Sequence, residues 1–202
     1  MELPIYLNAL TALFVIVDPI GAALIFNALL PPDDPQHRRM MAVKSVLIST
    51  TLLIIFGLYG QPLLQQLGIN INALRIAGGL LLFYTAFTMI TSGIRFTTTA
   101  SREDISVYPM SIPLLAGPGS LTLGILLFSA QEQSSAKIAV AGAVMSIMAL
   151  TLLCMWFSQY LKTVIGRTGD EILRRFLGVI LAALAVQFVH DGIVKMGFST
   201  GL

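Results

Sequence analysis

Six apolar segments divide the chain, each close to the roughly 20 residues that a helix needs to cross the hydrocarbon core of a bilayer. They cover 5–30, 41–60, 73–94, 107–130, 137–160 and 173–196. A soluble fold does not fit this pattern, because too few polar residues remain to cover a water-facing surface. Charged residues are 11% of the 202, against about 25% in a soluble domain, and mean hydropathy is +0.86. The expectation is an all-α integral membrane protein with six transmembrane helices. Polar or Gly/Pro-rich stretches punctuate the spans: "PPDDPQHRR" (31–39), "GQPLLQQLGIN" (60–70), "RFTTTASRED" (95–104), "QEQSSAK" (131–137) and "GRTGDE" (166–171). The first segment lacks the basic start of a signal peptide and is read as a retained span.

Orientation follows from the basic residues. Loops 1–2, 3–4 and 5–6 share one side of the membrane. With the adjoining helix ends they hold Arg38, Arg39, Lys44, Arg95, Arg102, Lys162, Arg167, Arg174 and Arg175, nine of the 12 Lys and Arg residues. Arg75, Lys137 and Lys195 occupy the other side. The positive-inside rule then puts both termini outside the cytoplasm.

The chain also resembles itself at an offset of 99 residues. Span 3, "LRIAGGLLLFYTAFTMITSGI" (74–94), and span 6, "LRRFLGVILAALAVQFVHDGI" (173–193), agree at seven of 21 positions without a gap. The same offset lays Pro19 on Pro118, Leu24 on Leu123, Ile48 on Ile147 and Leu53 on Leu152. Because three spans is an odd number, the halves 1–98 and 99–202 would cross the membrane in opposite senses. That is a 3+3 inverted repeat, an architecture of secondary transporters.

Within this frame "VDPIGAAL" (17–24) faces "AGPGSLTL" (116–123). Proline removes a backbone N–H and clashes with the carbonyl four residues earlier, so helices 1 and 4 are expected to be broken mid-membrane. Freed backbone groups cannot face lipid and must be buried or line a cavity. Each restarted half-helix presents unpaired N–H groups and the positive end of its dipole, a site for an anionic group. Asp18 is the one acid deep in a span. An ionised carboxylate there marks a substrate or coupling site, or else caps the half-helix that follows it. The candidate substrate-binding residues are therefore Asp18, Pro19, Ile20, Gly21, Gly117, Pro118, Gly119, Ser120 and Thr122. For Ser120 and Thr122 a local bond to the helix backbone competes with a ligand contact. Asn8, Thr11, Asn27 and Gln187 are secondary candidates, and the amide of Gln187 needs a partner that another helix would supply. Gly78 and Gly79 read as close-packing positions, His190–Asp191 and Trp156 as interfacial, and Cys154 as an apolar filler.

On these residues the chain resembles the MarC family of prokaryotic membrane proteins. "ALFVIVDPIGAALIF" (12–26) and "MSIPLLAGPGSLT" (110–122) are similar to its paired signature segments, and "AVQFVHDGI" (185–193) to its terminal one. The resemblance implies the six-span inverted repeat of the LysE-type exporter superfamily. It also implies a prokaryotic cytoplasmic membrane and transport of small neutral amino acids such as glycine and alanine. By motif it points to Asp18, Pro19, Gly21, Gly117, Pro118, Gly119 and Ser120.

The leading expectation is a secondary transporter working by alternating access, with an amino acid as substrate, lipid as surroundings and a proton or cation as coupling partner. No enzyme activity, cofactor or metal is expected. There is no ATP-binding P-loop, so the drive would come from a gradient. No basic patch suits nucleic acid. Three other readings compete. One is an efflux carrier for another small solute. The second is an assembly protein without a ligand. The third is an intramembrane hydrolase using Ser120 and His190, which sit at different depths.

Overall fold

The computed structural model describes residues 2–30, 34–91 and 104–199. Arg95 and Arg102, counted above for orientation, lie outside them, as do residues 31–33 of the first expected loop. The described residues form helices α1 (Glu2–Val17), α2 (Pro19–Leu29), α3 (Pro35–Gln66) and α4 (Ile71–Thr91). An irregular π-type segment follows (Ser106–Leu115), then α5 (Pro118–Ser129), α6 (Ser134–Trp156) and α7 (Ser158–Ser199). Five helices, counting Glu2–Leu29 as one, are long and apolar enough to cross a membrane. The π-type segment and α5, bent by 57° at their junction, make a sixth when taken as one span. The protein is thus an all-α, multi-pass integral membrane protein.

The expected breaks are present in both segments. Span 1 is interrupted at Asp18, which has left-handed backbone angles (φ 47°, ψ 71°) between α1 and α2. Span 4 is interrupted at Ala116 and Gly117. Its first half differs from the regular helix expected over 107–130. Pro109 and Pro113 each lack an N–H, and Tyr108 and Ile112 before them are extended. The pattern that survives has five-residue spacing, as in Met110 N donating to Ile105 O at 3.2 Å and Ala116 N to Ser111 O at 2.8 Å. Buried serines anchor this segment: Ser111 Oγ donates to Ser45 O of α3 at 3.0 Å.

Packing pairs the elements reciprocally. Span 1 packs on α6, and α3 packs on span 4; α2 packs on α7, and α5 packs on α4. The most extensive contact joins α4 to α7. There a methyl group on Gly79 would lie 2.8 Å from Ala185 O and 2.8 Å from Val189 Cγ2. One on Gly178 would lie 3.3 Å from Ala86 O and 2.9 Å from Ile90 Cγ1. Gly79 and Gly178, Ala86 and Ala185, and Ile90 and Val189 are each 99 residues apart. The small residues bring two antiparallel backbones close, so dispersion contacts replace the hydrophobic drive that lipid does not supply. Leu82 and Leu181, also 99 apart, are both buried in the same cluster.

At the start of span 4 the Lys44 ammonium lies 3.0 Å from Asp104 Oδ2, with both side chains about half exposed. Asp104 also accepts from the Ser106 hydroxyl and, at 3.0 Å, from the Ser106 N–H. The Ser106 hydroxyl first, and then Lys44, hold this carboxyl down from 3.8 to about 2. A depressed folded-state value stabilises the fold above the ordinary value and loses that effect as pH falls through the depressed one. The protection of the Ser106 amide relative to its intrinsic exchange rate is therefore expected to fall between pH 3.8 and about 2. Asp104→Asn should flatten that change. The effect on global stability should be small, because the pair is solvent-screened.

Candidate functional site

The two breaks are built differently. At the first, Asp18 Oδ1 accepts from Gly21 N at 2.9 Å, so the acid caps α2. Pro19 occupies the first helical position, where its missing N–H is harmless. Gly21 is required by the cap, since a methyl group there would run into the Asp18 carboxylate. The spacing Asp-Pro-x-Gly thus reads as a cap, a preset turn and clearance for the carboxylate. Asp18 is half-buried, and Cys154 of α6 lies within electrostatic range of it. Ile20 is half-buried beside it.

At the second break Gly117 is the cap residue, in extended conformation, and no side chain caps α5. Pro118 again takes the first helical position and is exposed, whereas Gly117 and Gly119 are buried. Ser120, buried, sends its hydroxyl back to the break, to Leu115 O at 2.8 Å and to Gly117 O at 3.1 Å, the latter also accepting the first backbone bond of α5 from Leu121 N at 2.9 Å. One hydroxyl proton serves one of them at a time. Gly119 lies against Leu82, and Thr122 against Gly78, which seats the start of α5 on α4. With 11 residues in α2 and 12 in α5, each half-helix spans about 16–18 Å. That is near half of a ~30 Å hydrocarbon core, so both N-termini start near mid-membrane. The α2 end is met by a carboxylate. The α5 end keeps its unpaired N–H groups and the positive end of its dipole without a side-chain cap.

A family model described as MarC family integral membrane protein matches residues 3–197. The chain belongs to the MarC family. Among its relatives is a UPF0056 membrane protein of Archaeoglobus fulgidus, 32% identical over 96% of this chain and 94% of its own. UPF0056 membrane protein YvbG of Bacillus subtilis is 29% identical over 92% of each. UPF0056 membrane protein YhcE of Escherichia coli is 29% identical over 95% of this chain and 93% of its own. No solved structure matches.

The secondary candidates in this MarC chain are scattered. Asn8 is exposed, and Thr11, also exposed, donates to Leu7 O of its own helix. Gln187 is exposed on α7 and donates to Asp191 Oδ1 at 2.7 Å, so its partner lies one turn away on its own helix rather than on another. His190 contacts the same carboxylate at 3.3 Å and is exposed. Asn27 faces away from the break; its Oδ1 accepts from Arg38 at 2.9 Å.

That arginine is what reading the MarC sequence missed. Arg38 stands in a polar run, "PQHRR", and reads as a solvated loop residue. It is instead 7% exposed, one turn into α3. It donates to Leu30 O at 2.8 Å and to Ser158 Oγ at 3.0 Å, and it stacks 5.3 Å from the Phe26 ring centre. The usable signal was Asp34-Pro35, a cap and first-turn proline that start α3 ahead of its apolar run.

Proposed function

We propose that this protein is a secondary transporter of small neutral amino acids across the prokaryotic cytoplasmic membrane, with both termini outside. The observation that carries the reading is the pair of half-helices that start near mid-membrane, one capped by a carboxylate and the other uncapped. A zwitterion complements such a pair. Its carboxylate docks on the N–H groups at the start of α5, at Gly119 and Ser120. Its ammonium is received by Asp18 and by carbonyls freed before the breaks. The preference for glycine or alanine rests on the family resemblance and not on open space at Gly21, Gly117 and Gly119, since Asp18, Pro113 and Leu82 respectively already fill the methyl positions there. Membership of the MarC family and the reciprocal packing of the 99-offset halves support an inverted repeat that rocks about this site. The absence of a P-loop in the sequence supports a gradient as the drive.

Uptake of labelled glycine and alanine into proteoliposomes, with and without a proton gradient, tests the reading. Accumulation well above that in protein-free vesicles is expected. If neither is taken up while another small solute is, the carrier is an exporter of a different class. Alkylation of Cys154, the chain's one cysteine, provides a second readout without transport. Its proximity to Asp18 predicts slower labelling when alanine is present. Unchanged labelling across alanine concentrations would count against a site at that break.

A further inference from the structure

Among the described residues the buried apolar side chains form two clusters, and these cut across the repeat. The larger cluster is built from α1, α2, α3, the π-type segment, α5 and α6. The smaller joins α4 to α7 through Leu82, Ala86, Leu181 and Ala185, with Val15 of α1 against it. Polar contacts also tie the larger group together. Tyr6 Oη donates to Ser146 Oγ at 2.9 Å, Ser111 Oγ donates to Ser45 O, and Lys44 pairs with Asp104. Where the two groups meet, Leu82 lies against Gly119, the Thr122 methyl against Gly78, and Phe188 touches both clusters. Apolar contacts of this kind are non-directional and tolerate sliding that a hydrogen bond does not. Helix α7 changes group along its length. Leu161 packs against the larger cluster and Ser158 is buried beside it, whereas Leu181 and Ala185 belong to the smaller. Between them stands Gly166, with φ 64° and nothing within 4 Å of a methyl group built on it. The link into α4 is made the same way, by Gly68 with φ 69° and the same open surroundings. Gly68 and Gly166 lie 98 residues apart, within one position of the repeat offset. Glycine adopts these left-handed angles without the steric cost that other residues meet.

We infer that the molecule moves as two bodies, each drawn from both halves of the repeat, joined by hinges at Gly68 and Gly166. One body is α4 with α7 beyond Gly166. The other is the group of elements around the larger cluster, with both breaks inside it. Hinges of this kind are a few residues that absorb a change of backbone angles while packed elements slide. The seam passes the start of α5, which Gly119 and Thr122 seat on α4, and follows α2, which packs on α7. Sliding along it covers and uncovers the half-helix starts. That consequence rests on the transport reading, whereas the division into two bodies does not.

The test places pairs of spin labels on full-length Cys154→Ser protein in lipid nanodiscs and reads the distances by double electron–electron resonance. Cysteines replace Leu47 of α3, Phe87 of α4, Ile138 of α6 and Ile193 of α7, all exposed, so labelling does not threaten folding. The pairs Leu47–Ile138 and Phe87–Ile193 each lie within one body but cross the repeat. The pairs Leu47–Phe87 and Ile138–Ile193 each lie within one half but cross the seam. The first two are expected to give one narrow distance that stays fixed with and without alanine. The second two are expected to give two distances, several ångströms apart, whose proportions alanine changes. Gly68→Ala combined with Gly166→Ala adds no clash but disfavours the left-handed angles, and should change the same proportions with no alanine present. Fixed distances within each half, with movement between Leu47 and Ile138, overturn the inference in favour of halves that move as units. Four fixed distances under every condition overturn it as well. If the seam-crossing pairs respond to the glycine variant and not to alanine, the two bodies stand and the transport reading loses support.

Discussion

Asp18→Asn is expected to leave the protein folded and to lower amino acid uptake at least about thirtyfold, the equivalent of the ~2 kcal/mol lower bound for losing one partner of a desolvated charge pair. The two halves of that expectation rest on different properties of one side chain. Asparagine caps helices about as well as aspartate and tolerates left-handed backbone angles, so the bond to Gly21 N and the φ of 47° both survive. The negative charge that would receive the ammonium does not. Asp18→Ala is the contrasting variant. It removes the cap, at about 1 kcal/mol, and places a residue that resists positive φ, at about 1–2 kcal/mol more. The thermal midpoint should therefore fall for alanine and hold for asparagine, while uptake falls for both. Wild-type uptake by Asp18→Asn would reduce the acid to a helix cap and remove the ammonium site from the mechanism.

How much of this was legible depended on whether the signal was local. Proline and glycine act on their own backbone, so "DPIG" and "GPG" marked both breaks to within two residues. The apolar spans were legible for the same reason, although their ends were not. Helix α3 starts at Pro35 and not at 41, because a helix continues past the hydrocarbon core while hydropathy registers only the core. What escaped was tertiary. The burial of Arg38 depends on α2, α6 and α7 closing around it, and no local pattern encodes that. The partner of Gln187 was expected on another helix, yet the i,i+4 acid Asp191 was already within reach on its own.

The contacts that repeat at the 99-residue offset are in the scaffold, and the differences are in the chemistry. Gly79 and Gly178 meet matching partners, so the α4–α7 contact looks the same from either half. The break positions and the membrane ends do not match. Asp18 caps α2, whereas Gly117 leaves α5 uncapped. Arg38 is buried and held by several acceptors, whereas Lys137 at the equivalent position is half-buried. Under the proposed transport function, a symmetric scaffold would make two opposed states close in energy, and unlike ends would give each half-helix its own partner. Only the second property would select a ligand with one positive and one negative group.

Gly117→Ala is expected to be the most damaging single methyl addition at either break. The new carbon would strike Pro113 O, which is backbone in a segment already carrying two prolines and pinned to α3 through Ser111. Neither side can swing away, so the 57° junction itself must change. The loss should approach about 3 kcal/mol, the upper end for forced overpacking. Gly21→Ala provides the comparison. There the obstacle is the Asp18 side chain, which can rotate off at the cost of the cap, about 1 kcal/mol. Gly119→Ala meets the Leu82 side chain, at Cδ2 and Cγ, and no backbone, and should be milder than Gly117→Ala. Thermal unfolding of the three variants in one detergent checks the order, with Gly117→Ala lowest. If Gly117→Ala melts with the wild type, the junction is not held by that glycine. The α5 N-terminus would then have freedom to move that a preorganised carboxylate site does not permit.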